Sequence, residues 1–273
     1  MRKVAWLLLV FNALVVLFSV AGFGVFISGL PKPAWNYYAL TQGLIIANVV
    51  SGVLCALLAM ASEQGWRPTL VLLALATTVA GTMELIGTTT GVPFGHYQYT
   101  DLLGYKLFGH VPLLIPPSWF MMLYPALLLA SLRLRGWLAR AAVAAAVLTL
   151  WDVALDAACT AGFAQWQWLQ QGSLWGWLPE VHFYGMPLEN WLGWLLTGGL
   201  ISALFLRVQP DWKPTRHSIG IWLYLVQGAL AAMMALLLGR GWASLLWLVG
   251  MAAVLLWLRP WSLSTARVSV KAE

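Results

Sequence analysis

Four acidic residues interrupt stretches that are otherwise apolar: Glu84, Asp152, Asp156 and Glu189. An ionisable side chain at mid-bilayer costs at least about 2.5 kcal/mol, so such residues face a bundle interior or a cavity rather than lipid. Asp152 and Asp156 stand four apart, which puts them on one face of a helix. No Lys or Arg falls between residues 68 and 105 or between 141 and 188 to neutralise any of the four. A carboxyl group shielded from water with no cation beside it favours its neutral form, and a neutral carboxylic acid is a usable general acid. A fifth acid, Asp101, closes the segment GVPFGHYQYTD (91–101), which crowds hydrogen-bonding groups in where an apolar run ends. Asp101 is a candidate for the same chemistry, with solvation in a turn as the alternative.

Aromatic residues gather around these acids in the sequence. Phe94, His96, Tyr97 and Tyr99 lie within that segment, and Trp119, Trp166, Trp168, Trp175, Trp177 and Tyr184 fall in the stretches that follow. An interfacial belt accounts for isolated residues such as Trp6, Trp242 and Trp247. Beside acids a second role opens, because an aromatic face stabilises a nearby cation by about 2 kcal/mol when water is excluded. An acid ringed by aromatic faces suits a reaction that passes through a carbocation. The aromatic-x-aromatic elements Tyr97/Tyr99 and Trp166/Trp168 are too short to argue an internal duplication. Oxidative chemistry finds little support: the four histidines, His96, His110, His182 and His217, lie far apart, and there is no HExxH, Walker or GxGxxG motif.

Membrane helices must carry these residues, since 61% of the chain is hydrophobic and 9% charged, against about 25% charge in soluble domains. Runs long enough to cross about 30 Å of hydrocarbon lie at 4–30, 36–61, 68–90, 113–132, 137–163, 187–206, 218–238 and 242–258. The expected fold is an all-α bundle of about eight transmembrane helices, a multi-pass protein of the cell membrane with both termini cytoplasmic. Basic residues support that topology: Arg2, Lys3, Arg67, Arg133, Arg135, Arg140, Arg207, Lys213, Arg216, Arg259, Arg267 and Lys271 fall inside, and only Lys32, Lys106 and Arg240 outside. The net charge of +6 is therefore topological and marks no nucleic-acid surface. The first run is too long for a signal-peptide core and is read as a retained helix. Cys55 and Cys159 fall within runs, as small packing residues. Residues 1–262 form one membrane domain and 263–273 a cytoplasmic tail. Glu84 then lies about 24 Å along the third run from its inner end, with Asp152 at similar depth in the fifth. The acids thus converge on the level of GVPFGHYQYTD.

Three ordered blocks carry a resemblance: Glu84 through Pro125 around GVPFGHYQYTD, then WDVALDAA, then HFYGMPLENWLGW with Asn190. Together they resemble the integral-membrane carotenoid 1′,2′-hydratases of the CruF type, a group that includes the bisanhydrobacterioruberin hydratases. The resemblance covers about residues 80–195 and implies addition of water to the terminal 1′,2′ double bond of an acyclic carotenoid end, such as lycopene or a monocyclic carotene, without cofactor or metal. Its implied catalytic set is Glu84, Asp152 and Asp156, with Asp101 and Glu189 as further candidates. Substrate contacts are expected from Phe94, His96, Tyr97, Tyr99 and Trp119, and from Trp166, Trp168, Tyr184 and Asn190. One acid delivers a proton to C2′, aromatic faces hold the C1′ cation, and another carboxylate orients the attacking water. The implied partners are a carotenoid held in membrane lipid and other enzymes of the carotenoid pathway. Two alternatives stay open: a polyprenyl transferase using Mg²⁺ and an isoprenyl diphosphate, and a non-catalytic carotenoid or lipid binder.

Overall fold

The computed structural model describes residues 1–28, 30–31, 34–169, 181–215 and 218–258. Lys32, Trp175, Trp177, Arg216, His217, Arg259, Arg267, Lys271 and the tail 263–273 lie outside the described residues. Eight helices follow one another: α1 Arg2–Ile27, α2 Tyr37–Gln64, α3 Trp66–Thr90, α4 Ile115–Ser131, α5 Trp137–Cys159, α6 Leu188–Val208, α7 Ile219–Leu237 and α8 Gly241–Leu258. Seven are long and apolar enough to cross a membrane, while α4 has 17 residues. The chain is an all-α, multi-pass membrane protein.

Local chemistry sets the helix ends. Asn36 accepts a hydrogen bond from the Ala39 amide to start α2, and Ser218 does the same for Gly220 at the start of α7. Gly91, at φ +82°, takes the left-handed conformation that terminates α3. Pro116 and Pro117 stand in the first turn of α4, where no amide donor is needed.

Helix α4 is the bundle's centre: it packs against α2, α3, α5 and α7, and all but three of its residues are buried. Its length of about 26 Å suffices because neighbouring helices, not lipid, surround it. The Ala-rich helix α5 packs against α4, α6, α7 and α8. Small residues permit that approach: a Cβ on Gly198 of α6 would come within 2.9 Å of Leu148.

Six short strands lie in the loops at one end of the bundle: β1 Tyr97–Tyr99, β2 Lys106–Leu107, β3 Val111–Pro112, β4 Trp166–Trp168, β5 His182–Phe183 and β6 Met186–Pro187. β2–β3 and β5–β6 are local antiparallel hairpins, whereas β1 pairs with β4 across 60-odd intervening residues. The register is Tyr97 opposite Trp168, Gln98 opposite Gln167 and Tyr99 opposite Trp166. The two aromatic-x-aromatic elements are thus partners in one ribbon. Because side chains alternate along a strand, the four rings share one face, while Gln98 and Gln167 lie exposed on the other.

Candidate functional site

A cavity of about 470 Å³ sits beneath this ribbon, within the range of about 300–1,000 Å³ usual for small-molecule sites. It is walled by α1 to α7, and its lining includes Glu84, Asp152, Asp156 and Asn190. Its other walls are mostly apolar and aromatic, among them Phe94, Tyr97, Tyr99, Trp119, Trp166, Trp168, Trp151 and Trp194.

Each carboxyl group is held by named donors. Glu84 Oε2 accepts hydrogen bonds from the Tyr97 hydroxyl and, at 2.8 Å, from the Tyr99 hydroxyl, while Oε1 accepts from Trp119 Nε1 at 3.0 Å. Burial first, and then the adjoining Glu84 carboxyl, push both phenols well above the ordinary tyrosine range, so they stay protonated donors. Asp156 Oδ1 accepts from Trp166 Nε1 and from Trp168 Nε1 at 3.3 Å. Asn190 Nδ2 lies between the two aspartates, 2.9 Å from Asp152 Oδ2 and 3.1 Å from Asp156 Oδ2. It is also 3.0 Å from Met186 Sδ.

Rings complete the wall. Trp119 stacks on Trp194 with centroids 4.0 Å apart and planes 13° apart, and Trp151 meets Trp194 edge-on at 6.1 Å. Tyr97 packs against Trp168 at 5.2 Å and Tyr99 against Trp166 at 6.0 Å. Phe94 is seated by two glycines. A Cβ on Gly87 of α3 would lie 2.7 Å from its ring, and one on Gly193 of α6 would also collide with it. Phe94 therefore wedges between helices only because both positions lack a side chain.

Not every expected residue joins this group. Asp101 is on the surface, its side chain 91% exposed, paired with Lys106 at 2.8 Å. The hydrogen bond from Lys106, and then its charge, hold the Asp101 carboxyl below the usual carboxylate range. Glu189 is buried in the first turn of α6 but is not among the residues that line the cavity. His96 is half-buried beside the ribbon, and its carbonyl accepts from the Leu169 amide. Tyr184 lies beneath the Arg240 guanidinium, 5.5 Å from ring centroid to Cζ, again outside the lining.

Three participants escape a reading of the sequence. Trp194 and Trp151 look like ordinary interfacial or core tryptophans until their helices are packed. Arg240, between α7 and α8, donates at 2.6 Å to the Ala157 carbonyl and to Thr160 Oγ1, which places a cation at the C-terminal end of α5, one turn from Asp156. Long-range packing alone brings it there. Both cysteines are buried: Cys55 Sγ donates to the Ala5 carbonyl at 3.4 Å, and Cys159 Sγ accepts from Gln165 Nε2 at 3.1 Å. Among the described residues, no three His, Cys, Asp or Glu side chains are grouped to hold a metal ion.

Chemically, the arrangement offers three carboxyl groups, amide and indole donors and several aromatic faces around an otherwise apolar chamber. Residues 43–258 match the model of a family described as carotenoid biosynthesis protein. Over 184 residues the chain is 33% identical to a bisanhydrobacterioruberin hydratase of Haloarcula japonica. That alignment covers 64% of this chain and 56% of the relative, so the chain spans a little over half of that protein's length. No solved structure matches the chain. With a family match running from the second helix to the end of the eighth, the chain belongs to the carotenoid biosynthesis protein family.

Proposed function

We propose that this protein is a carotenoid hydratase that adds water to the terminal 1′,2′ double bond of an acyclic end group, such as that of lycopene or a monocyclic carotene. The observation that carries this reading is the convergence of Glu84, Asp152 and Asp156 on one aromatic-walled cavity. The relative named as a hydratase adds to it.

The roles follow from how each acid is held. Every donor aimed at a carboxyl oxygen favours the anion. Glu84 receives three such donors and Asp156 three, whereas Asp152 receives only Asn190. Asp152 is the member that carries the proton. It transfers that proton to C2′, forming the C–H bond as the π bond opens and leaving a tertiary cation at C1′. The Trp119–Trp194 stack and the rings of Tyr97 and Trp166 face the chamber and stabilise the cation. Water attacks C1′ and gives its proton to Glu84 or Asp156, and a proton returns to Asp152 to close the cycle. The net change is one water added, with no oxidation.

In this reading the cavity lies at the outer end of the bundle, in keeping with the distribution of the basic residues. There the polyene stays in lipid while its end group meets water. Expression in a host that accumulates lycopene tests the reading, with pigments analysed by mass spectrometry. A product heavier by one water supports it. Unchanged lycopene and monocyclic carotene, with the protein inserted in the membrane, would overturn it.

A further inference from the structure

The cavity beneath the ribbon reaches the surface along one helix. Among its described lining residues, the exposed ones all lie on α1 or the loop after it: Phe18, Ala21, Gly22, Val25 and Trp35. Every other described lining residue is buried or half-buried. Phe18, Ala21, Gly22 and Val25 recur at helical spacing, which places them on a single stripe of α1. Side chains that line a cavity and are also exposed mark where it opens. A Cβ on Gly22, in the middle of this stripe, would meet nothing within 4 Å.

Helix α1 is tied to α2 at two heights. Asn12 Nδ2 donates to the Asn48 carbonyl at 2.8 Å and to Asn48 Oδ1 at 3.1 Å. Nearer the ribbon, the Phe26 ring meets Tyr37, the first residue of α2, at 5.1 Å, and Phe163, in the loop after α5, at 5.0 Å. These ties stand about 21 Å apart along α1 and about 17 Å apart along α2. Between them lie the exposed stripe of α1 and, on α2, the half-buried lining residues Leu40, Leu44 and Ile45.

We propose that α1 and α2 frame a lateral mouth between these ties, through which the unreacted polyene arm of a carotenoid passes from the chamber into the bilayer. This inference rests on the hydratase reading of the same cavity. A carotenoid is about as long as the hydrocarbon core is thick, about 30 Å. The lining runs only about 14 Å along α2, from Leu40 to Val49. With the terminal alkene at Asp152, most of the conjugated chain lies outside the chamber, and a stiff polyene needs an opening in line with it. An exit through the ribbon would carry it past the exposed Gln98 and Gln167 into water, where apolar surface is unfavourable. The opening between α1 and α2 is instead edged by Phe18, Val25, Leu40 and Leu44, on helices apolar enough to stand in lipid.

The test uses membranes holding the full chain as Val25→Cys and, separately, as Ile27→Cys. Both positions are exposed near the end of α1, and of the two only Val25 lines the cavity. The wild-type chain, whose Cys55 and Cys159 are buried, sets the background. A lipid-soluble maleimide labels each cysteine with and without lycopene. With lycopene at about ten times its Kd, labelling of Val25→Cys should slow by about tenfold while that of Ile27→Cys stays the same. Labelled Val25→Cys should then lose lycopene hydration and labelled Ile27→Cys should keep it, and because the label is added to folded protein, misfolding does not explain the loss. Phe18→Cys, on the same stripe, replaces Val25→Cys if that variant fails to accumulate. Labelling of Val25→Cys that ignores lycopene would overturn the proposal. So would equal slowing at both positions, or undiminished hydration by fully labelled Val25→Cys. If the wild-type chain hydrates neither lycopene nor a monocyclic carotene, the hydratase reading itself fails. Labelling then still decides the mouth: protection of Val25→Cys alone supports it, and no protection overturns it.

Discussion

Asn190 offers the sharpest perturbation of the proposed chemistry, because a single NH₂ group spans Asp152 and Asp156 at 2.9 and 3.1 Å. Asn190→Leu keeps the branched shape, with somewhat larger volume, and removes both bonds. A hydrogen bond to a charged partner contributes about 1.5–3 kcal/mol. If one bond's worth of positioning is lost in the transition state, with 1.36 kcal/mol per tenfold in rate, kcat falls by about 10- to 150-fold. KM should move little, because Asn190 holds the acids rather than the polyene. The assay is the initial rate of carotenoid hydration in isolated membranes, alongside thermal melting of the solubilised protein. Met186→Leu is the control, since Asn190 also donates to that sulfur at 3.0 Å and its loss leaves the carboxyl bonds in place. A folded Asn190→Leu protein with kcat within threefold of wild type would refute the reasoning, as would an equal loss in Met186→Leu.

Other consequences concern shape and charge. A Cβ on Gly22 would meet nothing within 4 Å, and this residue lines the cavity; Gly22→Phe should leave the melting temperature unchanged and abolish turnover by filling the chamber, as read by pigment analysis. Gly193→Ala drives a methyl group into the Phe94 ring and should cost about 1–3 kcal/mol, a loss visible in melting and partly relieved by Phe94→Leu. Lys106→Ala removes the partner that holds the Asp101 carboxyl low. Any stability from that pair is present above the ordinary Asp range and lost as pH falls through the depressed value. The gap between the two melting curves should therefore narrow in acid without closing, because Lys106 Nζ also donates to the Tyr99 carbonyl at 2.8 Å, a bond that does not depend on Asp101.

Spacing along a helix gives depth but not azimuth, and that distinction separates what could be read from the sequence and what could not. The eight apolar runs agree with the observed helices to within a few residues, because a lipid-spanning helix must be apolar over a known length. The shared depth of Glu84, Asp152 and Asp156 followed from counting residues. Glu189 and Asn190 have nearly the same depth, yet a helix turns by about 100° per residue, and Asn190 alone lines the chamber. Asp101 carried no signal to distinguish it from the buried acids beyond its place in a loop, and it lies in water. The alternation in Tyr97-Gln98-Tyr99 and Trp166-Gln167-Trp168 was plain, but nothing local says that segments so far apart pair. Asn12, Asn48 and Gln227 were hidden for the same reason: they hydrogen-bond to one another only when α1, α2 and α7 pack.

The central claim is that the enclosed acids drive proton-initiated hydration. Its most direct test is to incubate membranes with lycopene in ¹⁸O-labelled water without oxygen, comparing wild type with Asp152→Asn. A wild-type product carrying one labelled hydroxyl, absent from the Asp152→Asn membranes, is the predicted result. An unlabelled product, a requirement for dioxygen, or undiminished turnover in Asp152→Asn would contradict it.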